Sequence, residues 1–522
     1  MKKTIFSVIM LTALLSLTSC FSDDSKTLGE LVSDIEVTGI ENSYVKTAFV
    51  ENLDIVPVIT TAYNDLSYEW LLLTPGNTID DEASVEVIGT EKDLHYEVGL
   101  APGTYQVRLN VKSLGTNYTR CYYTTLTVQT QFSSGFYILK ETAEGKTDVD
   151  LFTMDNISIP DMLVKTQGQA MEGKPSALNI VYGQYYIDEK SNTIDKQNTV
   201  VLVSDAKQIQ VHRTSDFAKI FDRSNLLFDE MEADEVPYGI FNQGMWGTVY
   251  ASNKGFRYTN NPNGSFYTNP TSGKFGFPMI PLDASTFMAY QVTVGGMYYW
   301  DQSTHSLMMG DTYLDPYPVT YKDGSGTELT QNLSTYKPLS CGTNFVSRNE
   351  TDNFILENTA NGKRYVYLMS SARYNSYLTK YLEVPANSKM AKANCFATNG
   401  ISARYIYFAT DNKLYGYAFN TDEYTEAEMS LQGIGSGEQI VYLENLFYNG
   451  STNKFDYLVV GTQKGNDYKL YMYEMPAGTG TPTGAPVKTC SGTGKLKSVR
   501  SVLSTANVRQ MSYGNTYFYL YI

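Results

Sequence analysis

Histidine, cysteine and tryptophan are scarce in this chain of 522 residues, which holds three, five and three of them. His95, His212 and His305 stand far apart, none within four residues of another. That spacing excludes a HExxH zinc-protease helix and any compact His-based metal centre. Cys121, Cys341, Cys395 and Cys490 are scattered without CxxC or metal-ligand spacing, and read as buried thiols with room for one chance disulfide. No GxSxG elbow occurs, so a Ser-His-Asp triad lacks its usual signature. Two glycine-rich stretches imitate nucleotide motifs and fail them. Gly492-Thr493-Gly494-Lys495 has Thr489 where a phosphate loop needs glycine and Leu496 where it needs a hydroxyl. Gly433, Gly435 and Gly437 are followed by no helical pattern and read as a loop. Positive charge is short as well, with 40 Lys and Arg against 55 Asp and Glu. A net charge of −15 disfavours nucleic acid and docking on anionic lipid. No cofactor, metal or catalytic residue is assigned; a carboxylate pair stays open, because such pairs need proximity in space rather than in sequence.

A long membrane-spanning run is also missing. Lys2 and Lys3 precede an apolar stretch, residues 5–17, too short to cross a bilayer as a permanent helix. It ends in Leu17-Thr18-Ser19-Cys20, which resembles a bacterial lipobox. The resemblance implies a signal peptide over residues 1–19, acylation at Cys20 and an acylated tether over residues 20–34. Each buried acyl CH₂ contributes about 0.8 kcal/mol, so three chains hold a protein on a membrane through the anchor alone. The alternative is an ordinary signal peptide that ends at a cysteine. Asp23 and Asp24 follow the anchor and resemble the signal that sends Bacteroidetes lipoproteins to the outer face of the outer membrane. A solvated polar tether is the other reading of that pair.

Tyrosine is the compositional outlier, 43 residues against 23 phenylalanines, and 40 glycines accompany it. Tyrosine favours a pleated surface where the ring packs and the hydroxyl stays wet. With few amphipathic helical patterns, the chain reads as all-β and too long for one ordinary core. Residues 35–130 carry short alternating strands at 54–59, 66–71, 83–88, 105–111 and 122–128, the pattern of an immunoglobulin-like sandwich with Trp70 in its core. The Tyr68-x-Trp70 strand followed by Gly103-x-Tyr105-x-Val107-x-Leu109-x-Val111 resembles a PKD-type domain. A lipoprotein of this kind that continues into a tyrosine-rich β region is similar to the PKD-like surface lipoproteins of Bacteroidetes. That resemblance implies association with SusC/SusD-type outer-membrane uptake systems.

Beyond residue 131 a different rhythm starts. Seven hairpins, centred on residues 135–154, 199–212, 245–258, 291–300, 364–384, 405–419 and 457–473, recur at the spacing of a β-propeller of about seven blades, filling residues 131–522. Further sandwiches or an irregular β-rich domain are the alternatives. Residues 517–522 end the chain as a strand and are expected to close the ring, removing exposed edges.

The richest binding region is 238–321, with Trp246, Tyr250, Phe256, Tyr258, Phe266, Tyr267, Tyr298, Tyr299, Trp300, Tyr313, Tyr317 and Tyr321 among Gly, Asn, Pro and Thr. Flat rings beside amides suit sugar rings or peptide backbones. Rings on strands have the alternative of packing between blades. Those in polar loops, Phe266, Tyr267, Tyr313 and Tyr317, are the ligand-binding candidates. The expectation is a surface lipoprotein, a non-catalytic accessory that captures or orients a glycan or peptide for a SusC/SusD-like importer. The alternatives are a surface hydrolase or lyase, and a purely structural scaffold of the importer complex. Carboxylates gathered at the ring axis favour the enzyme; aromatics and amides favour the binder.

Overall fold

The computed structural model describes residues 34–73, 85–188, 192–243, 247–259, 272–278, 283–290, 296–311, 316–322, 328–329, 332–346, 349–370, 377–421, 423–449 and 454–503. They divide into two compact units. The first lies within residues 34–45, 52–97 and 104–127; the second takes in 46–51, 98–103 and everything from 128 onward. No helix among the described residues is long and apolar enough to cross a membrane.

In the first unit the period-two pattern becomes an antiparallel sheet. Tyr105, Val107, Leu109 and Val111 of strand Gly103–Ser113 are buried on one face, and Trp70 of strand Leu66–Leu73 stands opposite Leu109. Trp70 is fully buried and its indole N–H donates to the Glu91 carbonyl at 3.1 Å, so it belongs to the core. The single strand read over 54–59 is two. Asn52–Ile55 pairs with Leu94–Glu97, whereas Val58–Thr60 pairs with Glu36–Thr38. Pro57 separates them, since a residue without an N–H cannot continue a ladder.

The second unit is a succession of seven antiparallel sheets. Strands Pro175–Asp188, Thr193–Ser204, Ile209–Arg213 and Lys219–Asp222 make the second, and each later sheet repeats this four-strand meander. The fifth is widened by Thr320–Lys322, which pairs in parallel with Tyr377–Glu383, and by Glu328–Leu329. The first sheet differs. Gly135–Glu141, Thr147–Thr153 and Ser158–Ile159 provide three strands, and Lys495–Val502, from the far end of the chain, adds beside Gly135–Glu141 as the innermost. The expected hairpins fall in different sheets, but residues 245–246, 291–295 and 371–376 of the third, fourth and fifth lie outside the described residues. The strand paired with Gly296–Asp301 is Ala284–Tyr290, earlier than the expected 291–294. The closing strand is 495–502; residues 517–522 lie outside the described residues.

The inner strands touch in a cycle: Lys495–Val502, Pro175–Asp188, Pro237–Gln243, Ala284–Tyr290, Tyr336–Val346, Cys395–Thr398, Gln439–Asn449, and back to Lys495–Val502. An apolar cluster fills every gap. Tyr137 and Leu139 meet Leu178 and Ile180 between the first two sheets, and Phe136 and Ile138 meet Val459 and Leu470 between the seventh and the first. This propeller-like packing accounts for the tyrosine excess. Tyr137, Tyr250, Tyr407, Tyr468 and Tyr473 are fully buried, and each hydroxyl is bonded to protein instead of water, Tyr407 to the Gly480 carbonyl and Tyr473 to that of Gln432.

At the seam between first and seventh sheets, Lys140 is buried with its ammonium 2.6 Å from Asp150 and 2.7 Å from Asp161. The other Asp150 oxygen accepts from the Tyr468 hydroxyl of the seventh sheet at 2.5 Å. Asp148 lies nearby, fully buried. One of its oxygens accepts from the N–H groups of Val149 and Leu163, and the other has no hydrogen-bond partner among the described residues. Burial pushes its carboxyl up to about 6 from the ordinary 3.8, against those two N–H bonds. A carboxyl raised in the folded state releases its proton more readily on unfolding. Its cost therefore grows from about pH 4 to about pH 6 and persists above. Asp148→Asn keeps the acceptor and removes the charge. It is expected to stabilise the protein by about 2 to 3 kcal/mol at pH 7, a gain largely gone at pH 4, since each pKa unit is worth about 1.4 kcal/mol. Urea denaturation at the two pH values checks this, and a loss at pH 7 would contradict it.

Candidate functional site

Of the residues singled out by sequence, Cys20, Asp23, Asp24, Phe266, Tyr267 and Tyr313 lie outside the described residues. Tyr317 sits on the short edge strand Tyr317–Pro318 of the fourth sheet, opposite Met309. That pairing lays its ring on the cluster of Trp300, Leu307 and Met309, and the hydroxyl is enclosed with no hydrogen-bond partner among the described residues. Tyr250, Phe256, Tyr298, Tyr299 and Trp300 are buried between sheets, which removes them from any ligand surface. His305 takes a positive φ of 49° in a turn, its ring edge-on to Trp300. The four described cysteines are free thiols, and Cys121, expected inside, is exposed and donates to Asn110 at 3.2 Å. No group of three His, Cys, Asp or Glu among the described residues is placed to hold a metal ion.

Two polar arrangements emerge instead. The first lies on the inner strands. Arg500 on the closing strand bonds Glu444 at 2.8 Å, and the Tyr442 hydroxyl reaches Glu444 at 3.1 Å. The Cys341 thiol, on the inner strand of the fifth sheet, is pushed up to about 12 by burial first, and then by the negative charges of Glu444 and Asp352. A bond to the Met288 backbone and the charge of Arg500 oppose that rise. Asp352 is fully buried. Burial and then Glu350 raise its carboxyl well above the ordinary range, against a bond from the Thr343 hydroxyl at 2.6 Å. One Asp352 oxygen has no hydrogen-bond partner among the described residues.

The second is a cleft of about 470 Å³ on the outer side of the first two sheets. One wall is local chain geometry. Helix α1 (Met162–Gln167) stops at Gly168, whose positive φ of 79° closes it with a bond back to Val164. Gln167 and Gln169 flank that stop, and Met171 then bridges to Thr147 by two 2.9 Å backbone bonds. Gly173 holds the next turn at φ 85°, where an added Cβ would lie 2.5 Å from Ala206. The opposite wall is Gln210 of strand Ile209–Arg213 and Gln208 just before that strand. Glu172 and Lys219 complete the lining, each already paired, with Lys146 at 2.5 Å and with Asp222 at 2.7 Å.

Behind Gln210 stands His212, fully buried and stacked on Phe217 with ring centroids 4.5 Å apart. Burial lowers its pKa to about 4, so the ring is neutral at physiological pH. Its Nδ1 lies 3.0 Å from the Phe217 carbonyl and must carry the single proton. Nε2 then offers a lone pair to the Gln210 side chain 3.1 Å away. The structure sets the Gln210 oxygen against Nε2, where two lone pairs would meet; we therefore assign the amide the other way round, NH₂ to the ring and carbonyl oxygen away from it.

Sequence reasoning missed both arrangements. The one signal available for the cleft is its repeated Gln-x-Gln, at 167/169 and 208/210.

No curated protein matches this sequence. Among solved structures, a quinonprotein alcohol dehydrogenase-like protein from Bacteroides thetaiotaomicron is similar at 12% identity over 88% of this chain and 96% of its own, with a TM-score of 0.45. PorZ of Porphyromonas gingivalis, described as an essential surface component of the type-IX secretion system, is 11% identical over 67% of this chain and 39% of its own, with a TM-score of 0.32. AztD from Citrobacter koseri is 11% identical over 83% of this chain and 100% of its own, with a TM-score of 0.30. At the sequence level, the PKD-like family matches residues 20–175, a span that holds the first unit and the strands Gly135–Glu141, Thr147–Thr153 and Ser158–Ile159 of the second.

Proposed function

We propose that this chain is a surface lipoprotein anchored through Cys20, whose second unit is a seven-bladed β-propeller, and that it is a non-catalytic accessory capturing or orienting a glycan or peptide for a SusC/SusD-like importer. Seven sheets, seven filled gaps and a closed cycle of inner strands support the blade number. The observation that carries the binding role is the cleft. Its lining is four glutamine amides with a carboxylate and an ammonium already paired to neighbours, groups that hold a polar ligand without reacting with it. The anchor and the importer rest on the resemblances of the N-terminal residues.

Cys20→Ala is expected to leave an uncleaved or soluble product that no longer partitions into detergent and is lost from surface protease accessibility. Membrane association that survives the change would overturn the anchor. Affinity purification of the wild-type protein from its own envelope should bring down a SusC/SusD-like pair, and a preparation without one would sink the importer reading.

A hydrolase or lyase is the second reading, and the Asp352–Glu350 pair favours it. A buried carboxyl raised by a neighbouring carboxylate is how a general acid is made. Product formation from polysaccharides or oligopeptides that disappears in Asp352→Asn would favour the enzyme. Binding without turnover would favour capture.

A further inference from the structure

The cleft between α1 and strands Ile209–Arg213 and Lys219–Asp222 specifies its ligand more closely, and the following step rests on the capture reading. We infer that it takes a neutral saccharide, held edge-on through its hydroxyls by the glutamine amides.

Each primary amide places one acceptor and one two-proton donor in a single plane, the complement of two adjacent hydroxyls. All four glutamines line one cleft; Gln210 lies on strand Ile209–Arg213 and Gln208 just ahead of it, and the Gln167 and Gln208 amides also donate to the Phe217 and Ala206 carbonyls. His212 fixes one of them, so the Gln210 oxygen, turned away from the ring, is a standing acceptor for the ligand, without a rotational choice to lose on binding. The charged groups of the lining are spent on Lys146 and Asp222, so the cleft makes no demand for an anion or a cation. Its apolar lining is Ala170 and the largely buried Met171. With no aromatic ring among the lining residues, the ligand is recognised by hydroxyl pattern and not by stacking of a sugar face.

A peptide fits less well. Capture by strand addition uses a free edge and apolar pockets for alternate side chains. The edge strand here, Lys219–Asp222, is four residues long, and its end is occupied. The Asp222 N–H donates to the Asn225 side chain at 2.8 Å, while its carboxylate accepts from the Ser224 N–H at 2.9 Å. The lining offers amides and little apolar surface, which matches adjacent hydroxyls better than apolar side chains.

The test uses the full-length protein in a non-glycosidic detergent, probed on an array of neutral oligosaccharides and with a pool of random peptides. Array hits are then titrated calorimetrically against wild type, Gln169→Ala/Gln208→Ala and Gln210→Met. The first variant touches exposed or half-exposed side chains, so its melting temperature should stay at the wild-type value. Each lost amide should weaken the saccharide about tenfold and the double variant about a hundredfold. A deoxy analogue at a contacted hydroxyl should lose as much. Binding to wild type should hold from pH 8 to pH 5 and fall as His212 takes a proton near pH 4, a dependence that Gln210→Met abolishes. An array without a neutral saccharide hit, a hit whose affinity the variants leave unchanged, or a peptide whose binding the variants abolish would each overturn the inference. Co-purification of the importer pair reads the capture role separately. An accessory that brings down its importer but binds no saccharide refutes this ligand alone, and saccharide binding without an importer refutes the importer alone.

Discussion

A chain ending at Gly494 is expected to lose the cooperative unfolding transition of its second unit. That truncation removes Lys495–Val502, which pairs along the whole of Gly135–Glu141 and supplies the innermost strand of the first sheet. Val499 and Val502 are fully buried there, each contributing about 1.5–3 kcal/mol by burial alone. Their departure also bares Phe136 and Ile138 and frees an edge of the first sheet. Against a total of roughly 5–15 kcal/mol for a typical domain, the sum is large enough to end the folded state. Full-length Val499→Asp should move in the same direction, because a lone carboxylate would then be buried between two sheets. A synthetic peptide of residues 495–503 added to the truncated protein should restore a melt. Calorimetry and near-ultraviolet dichroism read all three, and a truncated protein with an unchanged melting temperature would show that closure is not what holds the ring.

The second large effect is expected from Lys140→Met. Lys140 is the cation for Asp150, and both are almost wholly enclosed. Its removal leaves Asp150 buried and charged between the first and seventh sheets, a situation that costs about 3–5 kcal/mol in other proteins. The same principle separates the pair from its neighbourhood. In Lys140→Met/Asp150→Asn the charge is gone from both sides, and Asn can still accept from the Asp161 N–H or the Tyr468 hydroxyl, as Asp150 does. The double variant should recover most of the loss. A denaturant-based double-mutant cycle measures the coupling, and a Lys140→Met cost below about 1 kcal/mol would mean that water reaches the seam.

What could be read from the residues, and what could not, follows from range. The hairpin of Tyr405–Thr410 and Lys413–Ala418 is legible because Asp411 and Asn412 between them both take positive φ, 51° and 58°, the turn those two residues tolerate best. The strand Gly103–Ser113 is legible because one of its faces is core and the other is not. The outer strands Ser158–Ile159 and Tyr317–Pro318 have two residues each and carry no period to detect. Closure has no local signature either. An aromatic run at 517–522 resembles a strand by itself, whereas Lys495–Val502 mixes three basic residues and two serines with its apolar ones and declares itself only beside Gly135–Glu141. The aromatic richness of 238–321 is real, yet its described rings serve the gaps between sheets. Composition reports how much ring surface exists and says nothing about which side of a strand it faces. Both polar arrangements draw on separated segments, Arg500 with Glu444 in one case and Gln167 with Gln210 in the other, and only the folded chain makes either pair neighbours.

The pairing of the first sheet with the last strand also dictates an order of events in time. Chains are made from the N terminus, and domains ordinarily fold as they emerge. Here Gly135–Glu141 is synthesised long before Lys495–Val502, so the earliest sheet waits unfinished, with Phe136, Ile138 and an open edge exposed, until nearly the whole polypeptide has been delivered. Bringing those two strands together also closes the longest loop in the molecule, a step whose entropy must be met before any contact rewards it. Until Lys495–Val502 has left the ribosome, Gly135–Glu141 keeps its open edge, and the pairing of the two is what completes the first sheet.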